Sequence, residues 1–164
     1  RLGFDIETIF IGDAEELASV DALVLPRGTS LRYSEILSGT IFGKAIAEFS
    51  RHKPVLAICG GMIACAKKLG KGCENRKTIG IIDARVDNGR LDGNLEVVFA
   101  NGQKGTGNFT DAPALYELGK HVENIAMSNG EIVAVREGMV FGICYVDYSG
   151  RSYEPFLRAV LSKK

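Results

Sequence analysis

The sequence predicts an α/β fold: a three-layer sandwich on a mostly parallel sheet, with antiparallel strands in the second half. Three observations carry this. Short apolar segments alternate with helical periodicity through residues 5–70, as in strands buried on both faces and joined by crossover helices. From Thr78 onward strand-like segments follow one another closely, several divided by Asn-Gly turn signals, as hairpins require. A length of 164 residues, 46% apolar and 24% charged, suits one core and one domain spanning 1–164.

Asp5 to Phe10 alternates with period two and predicts a strand; Asp13 to Val20 predicts a short helix capped by Asp13. Ala22 to Pro26 is a short apolar strand followed by the loop Arg27-Gly28-Thr29-Ser30. Residues 31–51 carry apolar side chains near helical spacing, interrupted by Ser38-Gly39-Thr40, which predicts two helices with a break. Pro54 to Ile58 is the next buried strand and runs into Cys59-Gly60-Gly61 and a helix from Met62 to Leu69, stopped by Gly70. Strands are then expected over Thr78–Val86, Leu95–Ala100, Val122–Met127, Glu131–Arg136 and Met139–Tyr145. Turns fall at Asp87-Asn88-Gly89, Asn101-Gly102 and Asn129-Gly130, and Ser152 to Lys164 reads as a final amphipathic helix. No internal repeat or linker interrupts this order.

Charge excludes some partners. The 20 basic and 20 acidic residues cancel, which disfavours a nucleic-acid binder. No apolar run reaches the roughly 18 residues of a membrane span and no signal-peptide pattern opens the chain. The expectation is a soluble cytoplasmic protein with no nucleic-acid or membrane partner. Cys59, Cys65, Cys73 and Cys144 show no zinc-type spacing, so no metal is expected and the thiols are read as free.

Strand, Cys59, Gly60-Gly61, helix is the arrangement of a nucleophile elbow. Glycines permit the tight turn, the Gly60 N–H points where an oxyanion would form, and the following helix start is expected to lower the Cys59 pKa. A buried Cys ending a core strand, beside glycines that serve only a turn, gives the same spacing. Both readings stay open at this level.

The residues Pro54-Val55-Leu56-Ala57-Ile58-Cys59-Gly60-Gly61-Met62 resemble the nucleophile segment of class I glutamine amidotransferases, and Leu23 to Ser30 resembles their oxyanion strand and loop. Phe109-Thr110-Asp111-Ala112-Pro113, Ile132 to Gly138 and Thr78 to Asp83 narrow the likeness to glutaminase subunits of pyridoxal 5′-phosphate synthase. The resemblance implies a flavodoxin-like sheet and covers nearly the whole chain, with no counterpart before Arg1 of the family's first strand and helix. It implies no cofactor. Such enzymes release ammonia from glutamine through a Cys thioester, with a His base oriented by a Glu, and pass it to a synthase subunit.

Carried over residue by residue, the resemblance puts the nucleophile at Cys59, oxyanion donors at Gly28 and Gly60, and substrate contacts at Arg27, Thr29, Gly61 and Asp111. The family's His and Glu fall on Tyr145 and Asp147; a glycine, an acidic residue and an arginine of its pattern fall on Arg27, Thr29 and Asp111. Neither histidine replaces the base by spacing. His52 lies seven residues before Cys59, about 20 Å along an extended chain, and His121 opens a predicted strand. Three readings follow: an ammonia-supplying glutaminase or variant, with glutamine or another small ligand and a synthase subunit as partners; a non-catalytic relative that binds a partner or ligand; or another Cys-dependent activity assisted by Asp147 or His121.

Overall fold

The computed structural model describes residues 6–162. Leu23–Leu25 (β1) and Val55–Ile58 (β2) form a parallel ladder with Leu23 opposite Val55. Val55, Leu56 and Ala57 are all buried, so β2 shows no polar alternation. Ser30–Leu37 (α1) and Ile41–Phe49 (α2) connect the two strands and break where expected. Thr40 caps α2, its hydroxyl accepting from the Gly43 N–H at 3.0 Å. A Cβ at Gly43 would lie 1.8 Å from the Leu37 carbonyl oxygen, so the end of α1 can approach α2 only over a glycine.

The expected helix from Met62 to Leu69 is a correction. Gly60–Cys65 (α3) ends at the midpoint of that segment and Ala66–Leu69 (β3) is a strand. Ala66 pairs with Ile82 and Leu69 with Val86; the ladder overrides local helix propensity. Lys67 and Lys68 are exposed on β3, and charge of this kind blunts an edge.

Ile82–Phe99 (β4) absorbs two expected strands. Its first half starts at Ile82 rather than Thr78, and the Asp87-Asn88-Gly89 signal makes no hairpin. Register shifts between Asp87 and Gly93 absorb the surplus residues instead. Lys104–Tyr116 (β5) was not expected as a strand at all. Its glycines and Pro113 depress strand propensity, yet long antiparallel pairing with β4 holds it. Glu123–Ser128 (β6), Glu131–Glu137 (β7) and Val140–Ile143 (β8) complete the sheet.

The strand order is β1-β2-β8-β7-β5-β4-β3, with β6 pairing β4 and β7. The expectation of a mostly parallel sheet is corrected: β1-β2, β2-β8 and β3-β4 are parallel, while five pairings are antiparallel. Parallel neighbours need long crossovers. Beyond β4 the connections are hairpins or short loops, so antiparallel pairing takes over.

Two other expectations shift. Residues 6–10 form no strand, since alternation without a partner ladder leaves backbone groups to water; Asp5 lies outside the described residues. The helix expected from Asp13 shrinks to a 3-10 turn at Glu16–Ser19, with the Asp13 carboxylate still accepting from the Glu15 and Glu16 N–H groups.

β8 sits between β2 and β7, and all four of its residues are buried. Met62 of α3 packs directly on Gly142. The adjacent Phe141 meets Phe156 edge-on at 6.0 Å. Phe156 belongs to Glu154–Leu161 (α4), which follows a 3-10 turn at Arg151–Tyr153. Neighbouring strand residues face opposite sides, so α3 and α4 cover opposite faces of β8. Lys163 and Lys164, expected at the end of the last helix, lie outside the described residues.

Candidate active site

Cys59 stands at the carboxyl end of β2 with φ 51° and ψ −106°, a conformation that side chains rarely adopt and that costs on the order of 1–3 kcal/mol. Two bonds hold it there. Its N–H donates to the Ile143 carbonyl at 2.8 Å and its carbonyl accepts from the Ile63 N–H at 3.1 Å, fixing the strand end and the helix start on either side of one residue.

Gly60 follows with no room for a side chain. A Cβ there would lie 1.9 Å from the Gly28 carbonyl oxygen and 3.2 Å from the Gly28 nitrogen, so the Arg27–Gly28 loop rests on the turn backbone to backbone. Tyr33 braces that loop by donating to the Pro26 carbonyl at 2.6 Å. Gly61 serves packing: a Cβ would sit 2.4 Å from the Leu25 carbonyl oxygen, which places it against β1. Thr29 is exposed at the head of α1, and its side chain makes no cap bond.

Arg27, Cys59, Asn108, Thr110, Cys144, Tyr145 and Val146 line a recess of about 10 Å³, room for roughly one water. The small volume has a cause. The Tyr145 side chain is 2% exposed and stacks on Phe109, ring centroids 4.9 Å apart. Gly107 makes space for it, since a Cβ there would come within 2.6 Å of the Tyr145 ring. Asn108 and Val146 exchange backbone hydrogen bonds of 2.9 and 3.0 Å, tying β5 to the segment after β8.

Behind Tyr145 lies a buried polar chain. Its hydroxyl is 2.6 Å from Ser152 Oγ, and Ser152 donates its own hydroxyl and N–H to Asp147 Oδ2, both at 2.7 Å. Ser149 supplies two more donors to Asp147 Oδ1. Burial pushes the Asp147 carboxyl up, but the Ser149 and Ser152 donors outweigh it and hold the group below the ordinary aspartate value. Burial drives the Tyr145 phenol well above its ordinary range.

Asp111 is placed apart from the recess. At φ 45° it lines a neighbouring open cavity of about 370 Å³ with Gly89, Arg90, Leu91, Asp92 and Thr110, and Thr110 is common to both. The expected lowering of the Cys59 pKa is corrected. Burial raises it, the Gly60 N–H and Arg27 partly oppose this, and Asp111 raises it further. The six residues of α3 supply too weak a dipole to reverse the balance.

These positions can be set beside known proteins. A model of the SNO glutamine amidotransferase family matches residues 5–154. The chain belongs to this family. It is 32% identical to the pyridoxal 5′-phosphate synthase subunit PdxT of Shouchella clausii, over 96% of this chain and 85% of that protein. It is 27% identical to PdxT of Thermococcus onnurineus, over 98% and 87%. Among solved structures it superposes on a glutamine amidotransferase with TM-score 0.83 at 21% identity, covering 94% of this chain and 87% of the other. A glutamine amidotransferase from Thermotoga maritima gives 0.54 at 14% identity, covering 90% and 65%. The class I glutamine amidotransferase fold is thereby shown.

Within this SNO-family domain no histidine lines the recess. His52 is exposed and faces Glu48 at 3.3 Å, and His121 sits exposed in the turn before β6. Among the described residues no cluster of three His, Cys, Asp or Glu is placed to hold a metal, and no helix is long and apolar enough to cross a membrane. Sequence reasoning missed Asn108, Ser152 and the place of Cys144 beside Cys59; it expected the segment from Tyr145 to Ser149 to close the crevice but gave Ser149 no role. The isolated polar residue of Gly107-Asn108-Phe109 was a signal for the first; the two serines follow Asp147 by two and five residues and bond to it locally, so Asp147-Tyr148-Ser149 was a legible Asx-turn signal.

Proposed function

We propose that this chain is a glutaminase-type subunit for an ammonia-using synthase, one that keeps the nucleophile turn but does not hydrolyse glutamine by itself at neutral pH. Family membership and the PdxT relatives support the first half. Pyridoxal 5′-phosphate formation is the reaction their names suggest. Cys59 is assigned as the nucleophile position and Gly28 and Gly60 as oxyanion donors. Arg27, Thr29, Gly61 and Asp111 are kept as the substrate-side positions, with Arg27 lining the recess and Asp111 the neighbouring cavity.

The second half rests on one observation: Tyr145, the residue to which the resemblance carries the base, is buried with its hydroxyl held by Ser152. Thioester chemistry needs one group to take the thiol proton and return it to departing ammonia. A phenol above its ordinary pKa of about 10 does not cycle at pH 7, and Asp147 is already saturated with donors. The same saturation disfavours an Asp147-assisted thiol activity of another kind. Such a subunit would work in the cytoplasm, where free thiols persist, and would act by binding its synthase partner.

Ammonia release from glutamine, measured for the wild type and Cys59→Ala alone and with a co-expressed synthase subunit, tests this. Equal, background rates for the two isolated chains are expected. Cys59-dependent turnover of about one per second, ordinary for enzymes, would overturn it.

A further inference from the structure

We propose that Cys59 and Cys144 form an oxidation couple, in which a hydroperoxide oxidises Cys59 and Cys144 closes it as a reversible disulfide. The sheet register brings them together. Ala57 pairs with Gly142 and Ile58 with Ile143 in the parallel β2-β8 ladder. The Cys59 N–H continues that ladder by donating to the Ile143 carbonyl at 2.8 Å, so its next step sets Cys59 beside Cys144. Parallel neighbours stand about 4.8 Å apart, inside the roughly 4.4–6.8 Å Cα window of a disulfide.

Both residues line the same recess, which has room for about one water between its walls. Their exposures differ in the way such a couple needs. Cys59 is partly exposed while Cys144 is 0% exposed, so an oxidant reaches only the first sulfur. Neither other thiol competes. Cys65 is buried at the far end of α3, and the Cys73 thiol is engaged with the Gly70 and Val86 carbonyls.

The chemistry closes with the hydroperoxide as sole oxidant. Cys59 sulfur attacks the O–O bond, keeps one oxygen as a sulfenic acid and releases the other as water or an alcohol. Cys144 sulfur then attacks Cys59 Sγ; the S–O bond breaks and the hydroxyl leaves as water with the Cys144 proton. Two thiols have lost two electrons and two protons, and a thiol reductant restores them. While the bond lasts, the nucleophile position is capped.

The test uses the full native chain with excess hydrogen peroxide at about pH 9, since burial holds the Cys59 thiol above its ordinary value, followed by alkylation in denaturant and digestion without reductant. A peptide cross-linked between Cys59 and Cys144 is expected, abolished by dithiothreitol and unchanged in Cys65→Ala and Cys73→Ala. In Cys144→Ala, dimedone labelling of Cys59 should rise several-fold over wild type. Cys59 found as sulfenic or sulfinic acid, or bonded to another cysteine, with Cys144 fully alkylated in the wild type overturns the couple, whether or not the variant folds. The readout is independent of ammonia release, so glutaminase activity in the isolated chain would defeat the proposed function and leave this inference standing.

Discussion

Tyr145 donates its phenolic proton to Ser152. The direction follows from stoichiometry: Ser152 has one hydroxyl proton and gives it to Asp147 Oδ2 at 2.7 Å, so at 2.6 Å from Tyr145 it can only accept. Tyr145, Ser152 and Asp147 therefore form a one-way chain ending on a carboxylate, directed away from Cys59. Tyr145 is a structural member of the wall.

Restoring a histidine alone should accomplish little. Tyr145→His leaves the Ser152–Asp147 pair arranged for a phenol, and Asp111 still sets a negative charge near the site. Ammonia release is expected to stay within a few-fold of Cys59→Ala. Combining Tyr145→His with Asp147→Glu and Asp111→Arg should raise it, since acid–base help is worth roughly 10²–10⁴ in rate. A triple variant no faster than Cys59→Ala would show that more than these three positions separates the chain from catalysis.

Gly60→Ala should destabilise the fold. The new methyl would fall 1.9 Å from a backbone oxygen of Gly28, which no side-chain rotation relieves. Overpacking of this kind costs about 1–3 kcal/mol, read as a lowered midpoint in urea unfolding with unchanged slope. An unchanged midpoint would mean the two glycines are not in contact in solution.

Acid should act through Asp147. Its carboxyl is held below the ordinary aspartate value, so the unfolded chain binds this proton at higher pH than the folded one. The contribution is complete above the unfolded value, near pH 4, and disappears as pH falls through the lower folded value. Wild type should lose stability steeply below about pH 4. Asp147→Asn should start less stable and show a shallower slope there; parallel curves for the two proteins would remove Asp147 as the cause.

Alkylation should single out Cys59, the one partly exposed thiol of four. Because burial holds its pKa above the ordinary thiol value, iodoacetamide should label it slowly at pH 7, with the rate climbing up to and beyond pH 9. Peptide mass spectrometry after brief treatment decides this. Labelling first at Cys73, or a rate already flat at pH 7, would contradict it.

What the amino-acid order determined by itself was local. The turn at Cys59-Gly60-Gly61, the α1–α2 break at Ser38-Gly39-Thr40, the hairpins at Asn101-Gly102 and Asn129-Gly130 and the buried strand β2 all follow from spacing and residue type, since each is settled within a few bonds. Only the tertiary structure decided the rest. β3 became a strand, β5 existed at all, and Asp87-Asn88-Gly89 stayed inside β4 because the free energy of a ladder comes from a partner strand remote in sequence. The Cys59 pKa rose for the same kind of reason: burial by β8 and the Arg27–Gly28 loop is a long-range effect that outweighs the short helix beside it. So too with Tyr145, whose role is set by Gly107, Phe109 and Ser152, residues that the fold alone brings to one side of the sheet edge.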